Sequence, residues 1–186
     1  SSLVRVDQDA NKINPDDFDI NPAGFTIHSA IHQVRDDAAC VMHLHTTDGI
    51  AVSAQQEGLL PLSQQSLFAL ASLSYHDYEG VALREDEKAR LQKDLGNTNF
   101  MILRNHGLLT TGSSIPDAFL AMYILQTSCQ IQIRALSGDR PLTPIPAGIV
   151  DTIRQQADQV TKGLGGKLAW PGLLRKLDRI DASFRE

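Results

Sequence analysis

Cysteine is scarce in this chain: its 186 residues include only Cys40 and Cys129. Both sit in apolar stretches and read as buried thiols. Two such residues make no disulfide framework, which points to a reducing, cytoplasmic setting. No apolar run reaches eighteen residues, so no transmembrane helix and no membrane partner are expected. No basic-then-apolar leader opens the chain. A basic excess is missing too: 17 Lys and Arg stand against 22 Asp and Glu, a formal net charge of −5. That is the opposite of a nucleic-acid footprint. Internal repeats and low-complexity tracts are absent. Gly163-Leu164-Gly165-Gly166 follows no strand and lacks nucleotide-loop spacing, so it reads as a flexible linker. There is also no initiator Met, and Leu3-Val4-Arg5-Val6 reads as a strand almost at once. The expectation is that an N-terminal part of a longer fold is missing from this sequence.

What is present is an ordinary globular composition, 42% hydrophobic and 21% charged, long enough for one domain with a sizeable core. Residues 3–13 read as a hairpin and 14–22 as a loop. Apolar residues at helical spacing predict a helix over 25–35, and the continuous apolar run 38–45 predicts a buried strand. A helix follows to about 54, capped by Thr46 or Thr47. Residues 58–62 read as a short extended piece, and Ser63 caps a helix to 71. Residues 73–78 read as a strand, 84–95 as a helix closed by Gly96, and 100–103 and 108–111 as two strands around a tight turn. A long helix starts at Ser114 and runs to about 136. A Pro-rich connector covers 137–146, then helices cover 149–162 and 170–180. Alternating strands and helices argue for a layered α/β domain.

Three histidines carry the chemistry. His43 and His45, at i and i+2 on a strand, point to one side. His106 follows a second strand and precedes Gly107, where the chain turns and function concentrates. Three imidazoles with an open fourth position are a common catalytic zinc set. A single strand histidine is usually structural. Two on a buried run without partners would cost roughly a few kcal/mol each, so metal binding is the stronger reading. His28 and His32, at i and i+4 on the preceding helix, read as packing or supporting residues rather than primary ligands. His76 reads equally as a surface or a site-lining residue. Lys88, Arg90 and Lys93 alternate with Glu85, Glu87 and Asp94, which looks like a solvated helix face.

His43-Leu44-His45-Thr46, Tyr75-His76-Asp77-Tyr78-Glu79-Gly80 and Leu103-Arg104-Asn105-His106-Gly107 together resemble the class II aldolase/adducin domain family. The stretches 21–32 and 125–132 resemble its adducin-like branch, and 170–179 is similar to bacterial members of that branch. The resemblance implies a three-layer α/β/α domain with a largely antiparallel central sheet over 1–140. Residues 141–186 are then a connector and helices packed on the same domain. It implies a divalent metal, zinc first, on His43, His45 and His106. It also implies a small hydroxy-carbonyl or sugar-phosphate substrate, enolised for aldol cleavage, epimerisation or decarboxylation, and a homo-oligomer, a tetramer by family resemblance. The family's acid/base glutamate falls at Gly24 or Phe25, neither of which moves a proton. General acid/base help is worth about 10²–10⁴-fold, so His76 or Tyr78 is the expected replacement. Gln126 also stands where many enzyme members carry a glutamate. The family's phosphate-binding loops would lie upstream of Ser1. The alternative expectation is an adducin-like interaction module that keeps the fold without the chemistry.

Overall fold

The computed structural model describes residues 3–14, 18–146 and 165–185, with 148, 149, 152, 153, 155, 156 and 159 between them. A single bridge pairs Val6 with Lys12 across the turn at 7–11, where Asp7 accepts from the backbone amides of Asp9 and Asn11. α1 (Pro22–His32) starts three residues earlier than its apolar spacing suggests. Asn21 caps the amides of Ala23 and Gly24, and Pro22 occupies a first-turn position where no N–H is needed.

β1 (Cys40–Leu44), β2 (Leu73–His76), β3 (Phe100–Leu103) and β4 (Gly107–Gly112) form a sheet in the order β1-β4-β3-β2. The pairs β1–β4 and β4–β3 are antiparallel, and β3–β2 is parallel. The parallel step needs a crossover, and α4 (Glu85–Leu95) supplies it. The side-chain alternation of each strand divides the core in two. Val41, Met101, Leu103 and Leu109 face α1 and α4. Phe100, Ile102 and Leu108 face the other layer, made of α2 (Thr47–Ser53), α3 (Gln64–Leu70) and α5 (Ile115–Leu136). Both faces of β3 and β4 are therefore buried, which is why these strands read as continuous apolar runs. The result is the three-layer α/β/α arrangement with a largely antiparallel sheet.

Arg35 pins the two ends of the first layer together. It is buried after α1, pairs with Asp37 at 2.7 Å, and donates to the carbonyls of Gly96 and Thr98 at 2.7 and 3.0 Å. Ser63 and Ser66 cap α3 reciprocally, and Ser114 caps α5. The strands end sooner than the apolar runs suggest: His45 lies just beyond β1, and Asp77 and Tyr78 lie beyond β2.

The expected helix over 149–162 falls largely outside the described residues. Of the glycine tract, Gly165–Leu168 forms a 3₁₀ turn packed on α5 rather than a flexible linker. The Gly166 amide donates to Asp117 at 2.9 Å, and a Cβ on Gly166 would stand 2.0 Å from the Pro116 carbonyl oxygen. α6 (Trp170–Ile180) follows, its Trp170 ring against Phe119 with centroids 5.5 Å apart. Among the described residues no helix is long and apolar enough to cross a membrane.

Candidate metal centre

The three histidines come from two chain segments that the sheet joins. His43 sits on β1 opposite Leu109, on the α1/α4 side of the sheet. Its Nδ1 lies 2.9 Å from the Leu108 carbonyl oxygen. A carbonyl can only accept, so Nδ1 carries the hydrogen and Nε2 keeps its lone pair. His45 follows β1 directly, held where Thr46 turns the chain into α2 by capping the Gly49 amide. The Thr46 hydroxyl also donates to Gln126 on α5. His106 closes the β3–β4 turn, in which Asn105 takes a left-handed conformation with φ 54°. The Asn105 and His106 amides donate to the carbonyls of Ser53 and Leu103.

The ring centroids of His43, His45 and His106 lie 4.6 to 4.8 Å apart, and one donor nitrogen from each ring falls within 4.8 Å of the others. The Nε2 atoms of His43 and His45 approach to 2.7 Å. Gly107 makes this closeness possible. A Cβ there would stand 2.5 Å from the Leu44 carbonyl oxygen, 3.2 Å from His45 and 3.4 Å from His43. Burial first, opposed by the hydrogen bond to Leu108 and reinforced by the neighbouring rings, pushes His43 down to about 4. Burial likewise lowers His106, helped by His45 and His76. His43 and His106 are thus held neutral at pH 7, the state in which imidazole ligates metal. Three imidazole donors turned to one point suit a borderline cation such as zinc.

The other sequence candidates are placed as follows. Tyr78 stands just past β2, 55% exposed, its ring centroid 6.4 Å from that of His106. Its segment is anchored by Glu79, which accepts two hydrogen bonds of 2.5 Å from Arg90 on α4. His76 is buried in β2 and faces α4, with Nδ1 2.7 Å from Asp94 and Nε2 3.6 Å from Glu87. His28 is half-buried on α1, lowered by burial and then by His32. It lines a cavity of about 520 Å³ with His43 and Gln126 but stays outside the three-ring cluster. His32 is exposed. Gly24 lies in the first turn of α1, where a Cβ would meet only the Asn21 side chain at 3.8 Å. Phe25 lies beneath the Lys88 ammonium, 5.3 Å from its ring centre. Cys129 is buried as expected, and Cys40 only half so.

Two features escaped the sequence. Glu87 and Lys88 are buried rather than part of a solvated face, because α4 presents them inward toward β2 and α1. Arg104 stacks on Tyr75, 4.2 Å from its ring centre, and donates to the Gln55 carbonyl. Neither contact has a sequence signal, since both join residues that only tertiary packing brings together.

Residues 1–133 match the model of the Class II Aldolase and Adducin N-terminal domain. With that match, the chain belongs to the class II aldolase and adducin family. It is 57% identical over 189 residues to a Pseudomonas aeruginosa protein named for aldolase class 2, a match spanning all of this chain and 73% of the relative. Rat alpha-adducin is 44% identical over 140 residues, covering 74% of this chain and 19% of the adducin. A crystal structure of an aldolase II superfamily protein from Pseudomonas syringae superposes with a TM-score of 0.91 at 45% identity, over all of this chain and 75% of that one. An L-fuculose 1-phosphate aldolase from Glaciozyma antarctica gives 0.68 at 30% identity, over 89% of this chain and 61% of that one.

Proposed function

We propose that this chain is a metal-dependent lyase of the class II aldolase type, acting on a small hydroxy-carbonyl or sugar-phosphate substrate by enolisation. The outcome is aldol cleavage, epimerisation or decarboxylation. The observation that carries the reading is the convergence of three imidazoles, two of them held neutral at pH 7, beside a glycine whose Cβ would stand 2.5 Å from the Leu44 carbonyl oxygen. His43, His45 and His106 would hold one divalent cation, zinc by donor chemistry. Bound there, it would supply Lewis-acid polarisation of carbonyl and hydroxyl oxygens.

The protein's own groups do the rest. The Leu108 carbonyl fixes the ring of His43, and the Thr46–Gln126 bond fixes the backbone after His45. Tyr78, on the rim beside His106, is the group proposed to carry the proton that Gly24 cannot. Any part His76 takes passes through the carboxylates of α4 that its nitrogens face. The working form is proposed to be a cytoplasmic homo-oligomer. Residues 1–140 are proposed as the catalytic unit with 141–186 as its appended part; among the described residues of that part, the Gly165–Leu168 turn packs on α5.

Metal content by elemental mass spectrometry tests this, on the protein and on a His43/His45/His106 triple-alanine variant. L-fuculose 1-phosphate serves as the first turnover probe, chosen because a relative acts on it. About one ion per chain, lost with the histidines, is the expected result. A His43→Ala variant that keeps both metal and turnover overturns the reading. The Gly24-Phe25 pair favours a second reading, an adducin-like interaction module without chemistry, to which absence of metal even after reloading would lead.

A further inference from the structure

The sharpest unexplained feature outside the histidine cluster is the pair of buried atoms left over between β2 and α4. His76 Nδ1 lies 2.7 Å from an oxygen of Asp94; an ionised carboxylate only accepts, so with Asp94 ionised that nitrogen carries a hydrogen. Nε2 then faces Glu87 Oε1 at 3.6 Å, a small rotation from hydrogen-bond distance. The side chains of His76 and Glu87 keep only 4% and 8% of their surface. Among the described residues, neither His76 Nε2 nor Glu87 Oε2 has a hydrogen-bond partner. If His76 were neutral and Glu87 ionised, a lone pair would face an anion in the interior, both unsatisfied. Buried polar groups without partners are costly, and a buried lone charge more so.

We propose that His76 and Glu87 share one buried proton while Asp94 holds the opposite ring nitrogen, and that this arrangement makes His76 a positioning residue for the turn that carries His106. The proton resides either on Nε2, with both carboxylates ionised, or on Glu87, which then donates to Nε2. In both forms the gap between Nε2 and Glu87 becomes a hydrogen bond, and α4 is clamped to the end of β2. The clamp reaches the metal centre by two short routes. The His76 carbonyl accepts from the Arg104 amide at 2.8 Å, two residues before His106. On the other side α4 holds Glu79, next to Tyr78, through Arg90. The charged and titratable groups facing His76 are Asp94 and Glu87 from α4, Glu79 from the segment after β2, and His106 from the β3–β4 turn. Glu79 is already neutralised by Arg90. Among the described residues Asp94 and Glu87 each have His76 as ion-pair partner, and Glu87 is the more buried of the two.

The role at His106 rests on the function proposed above, whereas the shared proton does not, and both are read without metal. In the metal-free full chain, labelled with ¹⁵N histidine and ¹³C glutamate, nuclear magnetic resonance at pH 7 reports both ring nitrogens of His76 and the Glu87 carboxyl carbon. The expected result is either a doubly protonated ring beside an ionised Glu87 or a neutral ring beside a protonated one. A neutral ring with a free Nε2 beside an ionised Glu87 overturns the shared proton. In Glu87→Gln the amide donates to Nε2, so the ring is expected neutral, with its hydrogen on Nδ1; a ring that stays doubly protonated there also counts against the proposal.

Hydrogen exchange then tests positioning. Glu87→Ala is expected to speed exchange at the Arg104 and His106 amides on the order of tenfold, while Leu108 and Thr110 stay protected, and Glu87→Gln restores protection. Uniform acceleration across β4, or no change at 104–106, removes the positioning role. Should Glu87→Ala not fold, Asp94→Asn is read the same way.

Discussion

Gly107 is the residue on which the three rings depend most directly. Its missing side chain lets β4 begin against the Leu44 carbonyl with two imidazoles alongside. Gly107→Ala would force backbone apart at an approach of 2.5 Å, not merely turn a side chain. The expected outcome is a folded protein whose zinc affinity falls by at least about tenfold, as when groups orienting a ligand are lost; a competition titration with a chromophoric chelator measures it. The rings themselves respond to acid. His43 is pushed from 6.5 to about 4, and His106 and His28 are lowered in the same direction. Between those two values the unfolded chain binds protons that the folded chain refuses. Stability therefore falls as pH drops from about 6.5 toward 4 and is level above that window. The urea midpoint of the metal-free protein should be lower at pH 5 than at pH 7, and equal midpoints would contradict the burial of these rings.

At the scale of elements, local rules reached far. The caps at Ser63 and Ser114, the end of α4 at Gly96 and the strand ending just before Arg104 were all readable from spacing and residue type. The sequence also pointed to His43, His45 and His106, whose donor atoms the fold brings within 4.8 Å of one another, with His45 just past the end of β1. What stayed hidden was long range. Nothing in the sequence near Arg35 says that it will reach Gly96 and Thr98, sixty residues on. The alternating charges of α4 look like a wet surface, yet Glu87 and Lys88 turn inward because the crossover must lie across β2 and α1. Arg35→Ala would remove the charge-assisted bonds from a buried guanidinium to the carbonyls of Gly96 and Thr98, which would then turn to water, since Gly96 is exposed and Thr98 half-buried. A loss of about 2 kcal/mol is expected, seen as a lowered denaturant midpoint with the slope unchanged.

For the whole molecule, the layers account for where apolar surface is spent, and the C-terminal end shows where it is not. Leu168, Leu177, Ile180 and Phe184 all stay exposed, and no residue of α6 is buried. The proposed homo-oligomer would cover these four side chains. Analytical ultracentrifugation should then give a mass that is a multiple of the 20.4 kDa chain. Ile180→Glu should shift that mass toward the single chain without lowering the stability of the sheet. A native protein that sediments as one chain would remove the oligomer.

The strand order carries one more consequence. His43 and His45 precede His106 by some sixty residues, and among the described strands only β4 pairs with both that lead to the histidines, β1 on one edge and β3 on the other. At roughly 5–20 residues per second of synthesis, the growing chain carries His43 and His45 for several seconds before His106 exists. Even then, the three stay apart until β4 slots between its neighbours. A metal held by all three rings would therefore be captured late in the life of the chain, a seal set on a finished sheet rather than a seed around which the sheet forms.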